Sequence, residues 1–198
     1  SGGELNIEAE GDGISAAYTM QISGGTIDIL AGGGYKNGAS HSSGNWGDFM
    51  GGDPGGQGGR PRPRAVASAN EDSGTSMKGL KANGLLIGDG TITIDSADDA
   101  IHSNAIAVIN GGSVKIASGD DGIHSDTDLT ITAGTVDITN SYEGLEAVNV
   151  RIAGGTLSMI TTDDGINAAG GTDSSGGGGR DQMNGGFGGA SNGSILID

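Results

Sequence analysis

The chain has 198 residues, 43 glycines, three prolines, no cysteine and a net charge of −16. Absence of cysteine excludes disulfides and thiol chemistry, and so acidic a chain makes a poor partner for nucleic acid, whose phosphates need a basic face. No apolar run is long enough to span a membrane as a helix. Ser1 already lies inside a repeat, so any export signal is expected to be removed or to lie outside this sequence.

A glycine followed by alternating aliphatics recurs as Gly3-Glu4-Leu5-Asn6-Ile7, Gly25-Thr26-Ile27-Asp28-Ile29 and Gly90-Thr91-Ile92-Thr93-Ile94. It continues as Gly112-Ser113-Val114-Lys115-Ile116, Gly134-Thr135-Val136-Asp137-Ile138, Gly155-Thr156-Leu157-Ser158-Met159 and Gly193-Ser194-Ile195-Leu196-Ile197. The leading glycines lie 22, 65, 22, 22, 21 and 38 residues apart. A fixed period of this length signals a solenoid rather than a closed domain. A second run keeps the same phase, with a small residue before the aliphatic of Ile14, Leu80, Ile101, Ile123, Leu145 and Ile166. A third run lies between them, at Met20-Gln21-Ile22, Leu85-Leu86-Ile87, Ala107-Val108-Ile109, Leu129-Thr130-Ile131 and Val148 to Ile152.

Three short strands per period of about 22 residues, with no helical pattern, predict an all-β parallel β-helix of about six to seven coils. Inward aliphatics are expected to stack as ladders, with Leu5, Ile27, Ile92, Val114, Val136, Leu157 and Ile195 in one. Ile14, Leu80, Ile101, Ile123, Leu145 and Ile166 form another. The chain reads as one domain, residues 1–198, with glycine-rich insertions at about 31–76 and 170–189. The insertions hold Tyr35, Trp46, Phe49, the basic stretch Arg60 to Arg64, and Phe187. Composition fits flexible linkers, whereas long loops on a rigid scaffold often carry binding.

The strongest local signal for chemistry is acidic. Asp98-Asp99, Asp120-Asp121 and Asp163-Asp164 recur at one corner of successive coils, with Glu143 in the coil between them and Asp12 alone in the first. Carboxylates stacked at the coil spacing repel one another, and a bound cation relieves that. Calcium suits such a corner, because it takes six to eight hard oxygens, including turn carbonyls. Asp also favours turns for its own hydrogen bonding, which is the competing explanation. One residue past each inward aliphatic of the second run stands another column: Ser15, Lys81, His102, His124, Glu146 and Asn167. His102, His124 and Glu146 are expected to stack near enough to share a ligand, with zinc and acid–base chemistry open to them and a solvated polar face as the alternative. No nucleotide-binding spacing occurs among the glycines.

The string Ser118-Gly119-Asp120-Asp121-Gly122-Ile123-His124-Ser125 is joined by Ser141 to Glu146 and by Thr162 to Ala168. In that order these motifs resemble the carbohydrate-binding-domain-containing β-helix proteins of clostridia-type bacteria. Ser76-Met77-Lys78-Gly79-Leu80-Lys81-Ala82 is similar to that family's Lys-Gly-aliphatic-Lys coil, and the resemblance covers about Ser73 to Gly170. It implies a polysaccharide-lyase-like, right-handed β-helix outside the cell or on its surface, with bound calcium and affinity for pectin- or cellulose-like polysaccharide. Tyr35, Trp46, Phe49, His102, His124 and Glu146 then become the candidate carbohydrate contacts, and no residue is assigned a catalytic role. Lys81, Arg151 and Lys115 are the outward cations a lyase would need, without obvious convergence. Open strands at both ends of the repeat give the alternative, a filament subunit stacking head to tail on a second copy.

Overall fold

The computed structural model describes residues 2–39, 76–168 and 193–198. Its nearly all-β chain winds into about six stacked turns of ~22 residues, a parallel β-solenoid. The strands are β1 (Glu4–Ala9), β2 (Ile14–Ala31), β3 (Leu80–Ser96), β4 (Ile101–Ser118), β5 (Ile123–Ser141), β6 (Leu145–Ile152), β7 (Thr156–Thr161), β8 (Ile166–Asn167) and β9 (Ser194–Ile197). Each pairs in parallel with its counterpart one coil away, β1 through β6 in chain order, with β7 on β5 and both β8 and β9 on β6. One 3-10 turn, Tyr35–Asn37, interrupts the pattern.

The alternation buries what it predicts. Leu5, Ile27, Ile92, Val114, Val136 and Leu157 are in register across six coils. So are Ile14, Leu80, Ile101, Ile123, Leu145 and Ile166. In the central coils these side chains are wholly buried. Burying one such aliphatic stabilises by roughly 1.5–3 kcal/mol. Leu5, on the outermost coil, has no layer above it among the described residues and stays exposed.

Two details differ from the sequence expectation. The three runs of a coil are not three separate strands: β2 to β5 are continuous over 17–19 residues and bend without losing the parallel ladder. Glycine makes the bend possible. Gly25, Gly90, Gly112, Gly134 and Gly155 all have φ between +79° and +115°. A Cβ on any of them would stand 2.8–3.0 Å from the carbonyl oxygen of the equivalent glycine one coil earlier. The remaining full break in each central coil is the acidic corner, between the first and second runs. The second difference is β9. Ser194–Ile197 does not extend the Leu157 ladder. Val150 pairs with Ile195 and Ile152 with Ile197, so the segment is the third run of the last coil. First and third runs share the pattern of small residue and alternating aliphatics, and the preceding insertion erases the phase that would separate them. Both insertions interrupt the solenoid at bends. One follows Tyr35–Asn37 at the acidic corner, and the other leaves after Ala168, beside which Gly193 returns.

Candidate functional site: a polar spine at the acidic corner

The residue before each corner's small residue forms a column: Asp12, Lys78, Asp99, Asp121, Glu143 and Asp164. Three positions later runs the column of Ser15, Lys81, His102, His124, Glu146 and Asn167, whose register is direct from coil to coil. The two columns interlock. His102 Nδ1 lies 2.9 Å from Asp99 Oδ2, and His124 Nδ1 lies 3.3 Å from Asp121 Oδ2. Between coils, His124 Nδ1 is 2.8 Å from Glu146 Oε2, and Asn167 Nδ2 donates to both Glu143 oxygens at 2.9 and 3.0 Å. The result is a spine of polar side chains running beside the hydrophobic core.

Its histidines are not a solvated face. His102 is 3 % exposed and His124 1 %. Alternation sends them away from the aliphatic core, yet both are buried against the carboxylates of the corner. Their rings stack with centroids 4.9 Å apart and planes 11° from parallel. Direct sugar contact by either ring is therefore closed off by burial. Glu146 is half-buried and engaged with His124.

The sequence reading missed Lys78. This side chain is 2 % exposed, and its Nζ lies 3.1 Å from Asp98 Oδ2 and 2.8 Å from Asp99 Oδ2. The remaining oxygens of the pair are also occupied: Asp98 Oδ1 accepts from Asp99 N and Asp99 Oδ1 from Asp121 N. An internal ammonium thus supplies the positive charge at this level of the corner. Burial pushes the Asp99 carboxyl up, but the charge of Lys78 and the hydrogen bond of His102 outweigh it and hold it well below the usual range. A signal was present in the sequence. Lys78 occupies the phase that Asp holds in the flanking coils.

Further along the spine the balance reverses. Burial pushes the Asp121 carboxyl up, reinforced by Asp99 and Asp120. Burial acts to lower the pKa of His124, yet its bonds to Asp121 and Glu146 raise it to about 11. One imidazolium faces two carboxylates here, and they shift in opposite directions: burial pushes Asp121 up, whereas at Glu146 burial is outweighed by the hydrogen bond to His124, which pulls it down. Glu143 is pushed up to about 7, by burial first and then by Glu146, Asp164 and Asp163, against the pull of Asn167. Tyr142 is pushed up to about 12 by its hydrogen bond to Asp163.

The predicted metal residues are therefore divided. Asp98, Asp99 and Asp120 each bring an oxygen within 4.8 Å of the others, and Asp121 does so with His124 and Glu146, as Asp99 does with the two histidines. Glu143 turns to Asn167, and Asp163 and Asp164 are exposed. Of the aromatic candidates, Tyr35 is half-buried, its backbone N–H donating to Asp95 at 2.7 Å and its ring lying 5.7 Å from Lys36 Nζ. Trp46, Phe49 and Arg60 to Arg64 lie outside the described residues. Two of the cations weighed for lyase chemistry are held in ion pairs, Lys81 3.7 Å from Asp12 and Arg151 2.8 Å from Asp198.

No curated protein and no solved structure matches the chain. A family model described as carbohydrate-binding domain-containing protein matches residues 1–122, reaching further toward the first coil than the motif resemblance does. With more than half of its length matched, and the solenoid in place, the chain belongs to this carbohydrate-binding domain-containing family.

Proposed function

We propose that the protein binds linear polysaccharide on the outside of its solenoid, without catalysis, and carries divalent cations at the corner of its later coils. The family match over residues 1–122 carries the first part. A rigid rod with a regular, open lateral surface suits a polymer better than a small molecule, because successive sugars meet successive coils. One open groove among the described residues lies on the first-run face, lined by Asn6, Asp28, Thr93 and Asp95.

Calcium fits one end of the spine better than the other. At Asp98 and Asp99 the oxygens are already taken by Lys78 and backbone N–H groups. In the later coils the candidates are Asp163 and Asp164, whose exposed carboxylates are oxygen donors of the kind calcium takes rather than zinc. Ser141, paired with Thr161 one coil on, has a buried Oγ with no hydrogen-bond partner. A cation there would stabilise the folded chain by mass action. Calcium sites of modest affinity work outside cells, where the ion is abundant, and this favours an extracellular or cell-surface location.

The experiment is a pull-down on insoluble glucan and on cross-linked polygalacturonate, in calcium and in chelator, with melting curves alongside. Retention on at least one glycan is expected, with a higher melting temperature in calcium. Failure to bind either glycan overturns the binding reading. An unchanged melting curve in excess chelator overturns the cation. End-to-end stacking is a second reading, favoured by the exposed Ile195, Leu196 and Ile197 on β9. Light scattering that shows only monomer at high concentration removes it.

A further inference from the structure

The exposed aromatic side chain that stands out on the solenoid belongs to no repeat motif. Tyr18, in β2, is 82 % exposed. It sits at the bend between the second and third runs, inside a bulge where Ala16 pairs with Ala82 and Thr19 with Gly84. On successive coils the same bend presents Asn83, then Asn104, then Asp126. Asn83 and Asn104 are exposed and Asp126 is half-buried. The column beside it reads Thr19, Gly84, Ile106, Asp128 and Asn149, with Ile106 46 % exposed.

Gly84 is the informative member. Its backbone is not among the positive-φ glycines. A Cβ added to it would meet nothing nearer than Thr19 Oγ1 at 4.0 Å. Neither conformation nor packing demands glycine here, in contrast to Gly79 and Gly122, where a Cβ would strike neighbouring atoms at 2.3 and 2.6 Å. The missing side chain leaves a notch flanked by Thr19 and the apolar Ile106, with Tyr18 at its side. An aromatic ring, an apolar edge and a row of amides and carboxylates together match a pyranose, which has one C–H face and a rim of hydroxyls.

The buried histidines give this row its second layer. His102 Nε2 lies 3.4 Å from Asn104 Nδ2, and His124 Nε2 lies 3.2 Å from Asp126 Oδ1. Each ring is fixed from behind by its carboxylate and by the stack, so each holds a surface amide or carboxylate in place, as a preorganised site requires.

Resting on the polysaccharide-binding reading above, we propose that this bend is the docking track, and that its occupant is an uncharged linear polysaccharide lying along the solenoid axis. Tyr18 stacks on a sugar ring seated over Gly84 and Ile106. Asn83, Asn104 and Asp126 hydrogen-bond to hydroxyls of the following sugars, one coil apart at about 4.8 Å. His102 and His124 are positioning residues that never touch the glycan. An anionic polysaccharide is disfavoured, because Asp126 and Asp128 lie in the track and the chain carries a net charge of −16.

The test uses the full chain and two variants, Tyr18→Ala and Gly84→Leu. Affinity electrophoresis measures binding to a soluble neutral glucan and to polygalacturonate, with and without calcium, and melting curves report folding. Both variants should melt like the parent, because neither side chain packs in the core. Each should bind the neutral glucan about tenfold more weakly, the size expected for losing or blocking one aromatic stacking contact. If the parent binds neutral glucan and both variants bind equally well, the track is wrong while the polysaccharide reading stands. If the parent binds polygalacturonate alone, the choice of an uncharged occupant is overturned. If the parent binds neither, the polysaccharide reading fails and the track with it. A variant that melts early is replaced by Tyr18→Leu, which keeps apolar bulk and loses the ring; undiminished binding by it also overturns the proposal.

Discussion

The two halves of the polar spine solve the same electrostatic problem differently. At the third coil, Asp98 and Asp99 fold around the Lys78 ammonium contributed by the coil before. From the fourth coil onward, Asp121, Glu143, Glu146, Asp163 and Asp164 share the corner with one buried imidazolium, that of His124. The first half is neutralised by its own side chain. In the second, burial and neighbouring carboxylates push Asp121 and Glu143 up, so the folded corner holds their protons more tightly than the unfolded chain does. A covalently attached counter-ion makes the corner self-sufficient, whereas raised carboxyls leave it sensitive to pH.

The largest effect is expected where neither solution is available. Ile123→Asp places a carboxylate between Ile101 and Leu145, in a wholly buried ladder. An unpaired buried charge costs several kcal/mol, about 3–5 kcal/mol or more, and the central coils should unfold on circular dichroism. A folded Ile123→Asp would mean that the inside and outside of the coil have been exchanged.

Lys78→Met comes next. It keeps the stem and removes the ammonium, leaving Asp98 and Asp99 buried together, at a cost of about 3 kcal/mol by chemical denaturation. If the loss is instead within experimental error, the corner at this level does not depend on its lysine, and the contrast between the halves collapses.

The pH dependence separates the halves without removing a counter-ion. His124 has a folded pKa of about 11 against an ordinary 6.5. A raised pKa means that its contribution is complete below about 6.5 and is lost as pH rises toward 11. The raised Asp121 carboxyl acts in the same direction, since its proton is held by the folded state and given up more readily by the unfolded one. Melting temperature in chelator should therefore fall between pH 7 and pH 10, and His124→Gln should flatten that slope. A parent that is equally stable across the range would show that His124 does not carry the charge assigned to it.

The smallest effect sharpens the comparison by its sign. Glu143→Gln removes a partly buried carboxyl raised to about 7. Without metal at pH 8 it should stabilise by about 1 kcal/mol, after discounting for solvent screening. If Glu143 is a ligand of the proposed cation, the gain shrinks or reverses in calcium. A loss of stability in chelator would mean that the hydrogen bonds from Asn167 outweigh the repulsion.

The aliphatic ladders were legible because a period of two inside a period of 22 leaves one phase that buries every Ile, Leu and Val of a run. The side chains of the corner were harder to read. Alternation states that His102 and His124 point away from the core, but it does not report that both are buried against Asp99 and Asp121. Lys78 follows a long insertion, where phase is hard to carry across. Only alignment by column, with Asp12 before it and Asp99 after it, exposes its change of sign. Tyr18 was invisible for a different reason. Its bend holds two residues, as do those of β4 and β5, but β3 has Asn83 alone there, so the bend keeps no constant register and carries no motif to align.

Ala168 and Gly193 stand side by side, although 24 residues separate them in sequence. β9 takes up the third-run register on β6 directly after that gap. Closing a longer detour costs only slightly more than closing a short one. Such a bend is a splice point. Foreign sequence placed there would be carried by the rod without changing its pitch, and the solenoid becomes a carrier whose cargo can be exchanged independently of its frame.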